Sequence, residues 1–192
     1  MNTPAHKPNP SEANAHTRRW IEQFVVGLNL CPFAAPALLD QQLRITVCDA
    51  TAEAQLARAV LLELDLIQST PTDELLTSVL VFTQALGNFD DYLDFLGLAE
   101  DLLEEAGLEG VLQIASFHPD YVFDGVPAND PSHYSNRSPW PMLHFLREDQ
   151  IEYALDHYPD PEQIPERNIV HLRELGTDAI QALLARIEQS GR

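Results

Sequence analysis

From His118 to Arg147 the sequence HPDYVFDGVPANDPSHYSNRSPWPMLHFLR gathers His118, Asp120, His133, Asn136, Arg137, Ser138, His144 and Arg147 into one polar stretch. An imidazole next to a carboxylate, as His118 and Asp120 offer, is the pairing used for general acid or base work. Asn136 and Arg137 supply donors for developing negative charge, and a guanidinium can grip a carboxylate or phosphate with two parallel bonds. No Lys or Arg occurs from residue 59 through residue 136, so Arg137 ends a long tract without cations, and only Arg147 follows before the tail helices.

Cys31 is the second place where chemistry could sit. In NLCPFAAPALL, Pro32 suits the first position of a short helix and would make Cys31 its N-cap. A thiol there meets free backbone N–H groups, which favour the nucleophilic thiolate. If that helix packs antiparallel to the first strand, Cys31 reaches the same sheet edge as His118. The catalytic set is then Cys31, His118 and Asp120, with Asn136, Arg137, Ser138, His144 and Arg147 binding substrate. The alternative is a small buried hydrophobe. Cys48 reads as structural, and no second cysteine stands at C-x-x-C spacing, which removes a dithiol mechanism.

His144 shares its strand face with Met142 and Leu146, so a core histidine is the competing account, and the odd spacing puts Arg147 on the other face. No metal is expected, because the spacings match no compact motif. His118, His133 and His144 are the ligands if one binds. No cofactor is expected either, since glycine-rich phosphate loop, nucleophile elbow and dinucleotide fingerprint are all missing.

These residues need a scaffold, and hydrophobic periodicity supplies one. Residues 1–10 read as a flexible tail and 11–192 as one domain. Ser11 is the expected cap of a helix that turns Trp20, Ile21, Phe24, Val25 and Leu28 inward. Residues 43–49, 78–84 and 111–117 read as strands separated by amphipathic helices, and PMLHFLRE reads as a fourth. The fold class is α/β: a single-domain sandwich with a small, mostly parallel sheet of about four strands covered by helices. A long site-forming loop follows the third strand, and the C-terminus is helical. Pro119 holds His118 extended at the carboxyl edge of the sheet, where open α/β folds bind ligands.

Thirty acids against 11 Lys and Arg give a net charge of −19, which leaves no basic surface for nucleic acid or an anionic membrane. No apolar run approaches a membrane span, the opening residues have no signal-peptide core, and a cytoplasmic protein with reduced thiols is expected. The partner this leaves is a small anionic ligand, and the oligomeric state is open. Three functions follow in order: an enzyme on a small anionic metabolite, of transferase or hydrolase type and dependent on the Cys/His site; a non-catalytic ligand- or protein-binding module; and a metal-dependent hydrolase.

The blocks WIEQFVVGLNLCPFA, ASFHPDYVFDG and SHYSNRSPWPMLHFLRE together resemble an uncharacterised, largely bacterial family catalogued as domain of unknown function 1415. The resemblance covers most of the chain from Trp20 to Ala154. It implies that Cys31, Pro32, Phe33, His118, Pro119, Asn136, Arg137, Ser138, Pro139, His144 and Arg147 belong to the family signature, and it brings no activity with it. The usual aromatic after Ser-Pro is Trp140 here.

Overall fold

The computed structural model describes residues 9–190, so most of the expected N-terminal tail lies outside the described residues. The first helix, α1 (Pro10–Trp20), starts earlier than the expected Ser11 cap. Asn9 is the cap: its side chain accepts the Glu12 N–H while the Glu12 carboxylate accepts the Asn9 N–H, both at 3.0 Å. This reciprocal pair satisfies two of the donors a helix start leaves free, and Pro10 follows where no N–H is needed.

Beyond Trp20 the helix widens into a π-helical turn, Ile21–Val26. Gly27 follows it, where a Cβ would lie 2.2 Å from the Gln23 carbonyl oxygen. The short α2 (Ala34–Leu39) leads into β1 (Leu43–Cys48), α3 (Glu53–Ser69), β2 (Thr77–Phe82), α4 (Phe89–Glu105) and β3 (Leu112–Phe117). After the long loop come β4 (Met142–Arg147), α5 (Glu148–Asp156), α6 (Ile164–Leu175) and α7 (Thr177–Gln189).

The four strands form one sheet in the order β1-β2-β4-β3. The α/β class, the single helix-covered sheet and the helical C-terminus are as the periodicity indicates. The mostly parallel sheet is not: β1 pairs β2 in parallel, but β4 runs antiparallel to both β2 and β3. The reason is where the loop returns. β1, β2 and β3 share one direction, as helical crossovers require. The chain then leaves β3 at Phe117 and re-enters opposite it, with Met142 as the register partner of Phe117. A strand that starts at the edge where its predecessor ended must run the other way.

Both faces of the sheet are covered. Leu80, Phe82, Leu143 and Phe145 meet Leu56, Val60, Leu64 and Ile67 of α3 and Tyr92, Phe95 and Ala99 of α4. On the other face, Ile45, Val79, Val81 and Met142 meet Trp20, Ile21 and Phe24, together with Leu172, Ile180 and Ile187 from the tail helices. This explains why β2, the strand covered on both sides, is buried at every residue. Among the described residues no helix is long and apolar enough to cross a membrane.

Candidate functional site

His118 stands immediately after β3, at the carboxyl edge expected for it, and is fully buried. Both ring nitrogens are committed to backbone. Nδ1 accepts the Asp120 N–H at 3.0 Å, which leaves Nε2 to carry the proton and donate to the Leu86 carbonyl at 3.0 Å. Asp120 thus meets the ring through its amide rather than its carboxylate. The imidazole lies against Phe89 and Tyr92, with centroids at 5.2 and 5.1 Å. Burial lowers its pKa, opposed by the bond to Leu86 and the charge of Asp120, so the neutral tautomer is favoured. Leu86 is held at φ 60, a left-handed conformation costly for a branched side chain, and its carbonyl aims at His118.

His133 repeats the arrangement. Its Nδ1 accepts the Phe123 N–H at 3.1 Å and its Nε2 lies 2.8 Å from the Pro127 carbonyl. The other polar residues brace the same loop. Asn136 donates to the Ser116 carbonyl at 3.1 Å, and its own carbonyl takes the His118 N–H at 3.2 Å. Ser138 donates its hydroxyl to the Trp140 carbonyl at 2.6 Å. Asp130 caps the short 3-10 helix Pro131–Ser135 and pairs with Arg173 of α6 at 3.0 Å. That guanidinium, with the Ser132 amide, holds the Asp130 carboxyl well below the usual carboxylate range.

Arg137 spans the loop. Its Nε donates to the Tyr121 carbonyl at 3.0 Å, one Nη to the Ala128 carbonyl at 3.3 Å, and the guanidinium lies 5.0 Å from the Tyr134 ring centre. The other terminal nitrogen has no hydrogen-bond partner among the described residues. Tyr134 is buried and receives a bond from Gln181 of α7. Tyr121, Phe123 and Trp140 are half-buried, so the loop's aromatics face inward and present no apolar patch.

The remaining expected site residues lie elsewhere. Arg147 sits at the far end of β4, about 17 Å from Met142 at ~3.4 Å per residue. There it donates to the carbonyls of Ile67 and Thr70 at the C-terminus of α3 and of Leu75 in the loop that follows. His144 is in mid-strand on the α1 side, and its Nε2 meets Thr77 Oγ1 at 2.6 Å. Because the Thr77 hydroxyl already donates to the Phe145 carbonyl, that nitrogen must be the donor. Burial holds the His144 pKa down at about 4.

Cys31 is not the cap of α2, a correction to the sequence reading. Residues 32–33 form a turn and Phe33 occupies the cap position. Burial pushes the thiol pKa up, outweighing the backbone amides of Phe33 and Ala34, which pull it down. Its neighbour Leu30 packs with the α1-side cluster, whereas the His118 ring lies against α4 on the opposite side of the sheet. Among the described residues no hydrogen bond joins Cys31 to His118. Among the described residues no group of three or more His, Cys, Asp or Glu could hold a metal ion.

Sequence reasoning missed Tyr92. Its hydroxyl accepts the Phe117 N–H at 3.0 Å and donates to the Met142 carbonyl at 2.9 Å, so it bridges the two strands where the loop departs. At helical spacing Tyr92 looks like another core position of α4. No periodic signal marks it as a polar bridge.

A family model described as "Protein of unknown function (DUF1415)" matches residues 12–182. No curated protein and no solved structure matches the chain.

Proposed function

The chain belongs to the DUF1415 family, and for this member we propose a non-catalytic binding role: the 118–141 loop holds a small anionic ligand at Arg137. One observation carries this reading. His118 and His133 spend every ring nitrogen on backbone, while Arg137 keeps one terminal nitrogen unbonded among the described residues, on a loop tied down at both ends. Histidines locked in this way serve rigidity, and a rigid loop loses little entropy when it binds. Arg137 is also the single Lys or Arg of the loop, in a chain whose net charge of −19 repels anions elsewhere.

Calorimetric titration with phosphate and with mono- and dicarboxylates tests it. A saturable one-to-one isotherm is expected for at least one anion, weakened about ten- to a hundredfold in Arg137→Gln by loss of charge-assisted bonds. Equal affinity in the variant, or no binding by any anion, sinks the proposal. Conversion of the bound anion transfers the site to an enzyme.

The enzyme reading retains one specific support, the backbone amides of Phe33 and Ala34, which pull the Cys31 thiol pKa down against its burial. It requires Cys31 to alkylate at neutral pH in a Cys48→Ser background. A thiol that reacts only above its ordinary pKa of about 8.5 leaves Cys31 as packing.

A further inference from the structure

Two histidines hold the Arg137 cradle through the same pair of bonds. His118 and His133 are both 0% exposed. In each, Nδ1 accepts a loop N–H, from Asp120 or Phe123, and Nε2 donates to a carbonyl, of Leu86 or Pro127. The segments held in this way carry the carbonyls that receive the arginine: Tyr121 follows Asp120, and Ala128 follows Pro127. The backbones of the two histidines grip the arginine as well. The His118 N–H goes to the Asn136 carbonyl and the His118 carbonyl takes the Ser138 N–H, while the His133 carbonyl takes the N–H groups of Asn136 and Arg137. We propose that His118 and His133 are paired acid latches: a proton on Nδ1 frees the 118–141 loop and dismantles the anion site at Arg137, an inference that rests on the binding role given to that residue.

Neither Nδ1 can take a proton in place. Each is the acceptor of a backbone N–H, so protonation sets two donors face to face and strands the amide of Asp120 or Phe123. It also puts an imidazolium where the ring is shut off from water. Both costs vanish once the loop lets go and the ring is solvated, so acid favours release.

The surroundings of the two rings set the direction. Burial lowers the His118 pKa from 6.5, against the Leu86 bond and the charge of Asp120. From α4 it faces the Tyr92 phenol, and the Tyr121 phenol shares the Phe89 ring with it. The released loop therefore binds the proton more readily, and the locked loop loses stability as pH falls below 6.5. Around His133 the charged groups are Asp130 at the cap of its 3-10 helix, Arg137 just beyond that helix, and Arg173 of α6, which already pairs with Asp130.

The Arg137 Nε–H is bonded in the locked loop, so its NMR signal reports release with no ligand present. Titrated from about pH 7.5 to about pH 5, that signal is expected to reach the free-arginine position in one step taking up about two protons, while the amide signals of β2 keep their native positions. In His118→Asn or His133→Asn, whose amide oxygen can accept the same N–H but takes no proton, the step should fall to about one proton. Sulfate, whose charge is constant over this range, should bind at the upper pH and weaken by about tenfold or more along the same step. An Arg137 signal that stays put, or that moves only together with β2 as the whole domain unfolds, overturns the latch. So does a step of unchanged steepness in both variants. Sulfate that binds equally at every pH while the loop opens breaks the link between latch and site. Sulfate that never binds, on a loop that opens with acid, overturns the anion site itself and with it the regulation.

Discussion

Replacing Tyr92 with Phe removes a single oxygen and should loosen the mouth of the β3–β4 pair. That oxygen takes the Phe117 N–H at 3.0 Å and gives its own proton to the Met142 carbonyl at 2.9 Å. Two neutral hydrogen bonds are lost, each worth about 0.5–1.5 kcal/mol net. The Met142 carbonyl belongs to a residue 1% exposed and stays dry, which adds a desolvation penalty of about 1–3 kcal/mol, while half-buried Phe117 can recover water. The sum is about 2–6 kcal/mol, a large share of the ~5–15 kcal/mol that holds a typical domain. In urea, with a slope of ~2 kcal/mol/M, the midpoint should fall by about 1–3 M at unchanged slope. The variant should also fail to reproduce one feature of alkaline unfolding. Burial raises the Tyr92 pKa above its ordinary 10.0, so the folded state keeps a proton the unfolded chain releases. Stability from this group is whole below pH 10 and declines as pH rises beyond it. A midpoint loss under about 0.3 M, or the same alkaline decline in both proteins, refutes the bridging role.

His144 gives the complementary acid limb. Its folded pKa of about 4 lies below the ordinary 6.5, so the unfolded chain binds the extra proton between those values and stability falls as pH drops through that window. The shift corresponds to about 3–4 kcal/mol, and a His144→Gln variant should show a shallower decline in denaturant midpoint from pH 6.5 to 4. His118 shifts in the same direction, so its ring should remain neutral in NMR spectra at pH values where an exposed histidine has titrated. Arg147→Met strips two carbonyls at the end of α3 and that of Leu75 in the following loop of their donor, and should cost about 2–4 kcal/mol in chemical denaturation while leaving anion binding at Arg137 untouched. Gly27→Ala must displace the Gln23 carbonyl or unwind the π turn, so thermal unfolding should occur several degrees lower.

Strand positions were legible because the apolar runs are short and bounded: the sequence places a strand at 111–117 and the structure has Leu112–Phe117. The alternation in PMLHFLRE likewise yields β4, with His144 and Arg147 on opposite faces as their odd spacing demands. Strand direction was not legible. It depends on where residue 141 re-enters the sheet, and nothing local to β4 encodes that. The site divides similarly. Pro119 and the end of β3 place His118 at the sheet edge, but the carbonyl that receives its Nε2 proton is that of Leu86, more than thirty residues earlier. Cys31 reads as a cap from Cys-Pro alone, and the Pro32–Phe33 turn that displaces it carries no distinct signal.

The order β1-β2-β4-β3 also shapes how the chain must be made. Synthesis delivers β1, β2 and β3 first, yet β2 and β3 share no ladder, and the gap between them waits for residues 142–147. Until those residues emerge from the ribosome, β2 offers an open edge of side chains that are all buried in the finished protein. Such an edge is a template for the wrong partner. The sheet therefore closes in one late, non-local step, and a nascent chain that stalls before Met142 holds two strands with a vacant seat between them, open to aggregation or to a chaperone.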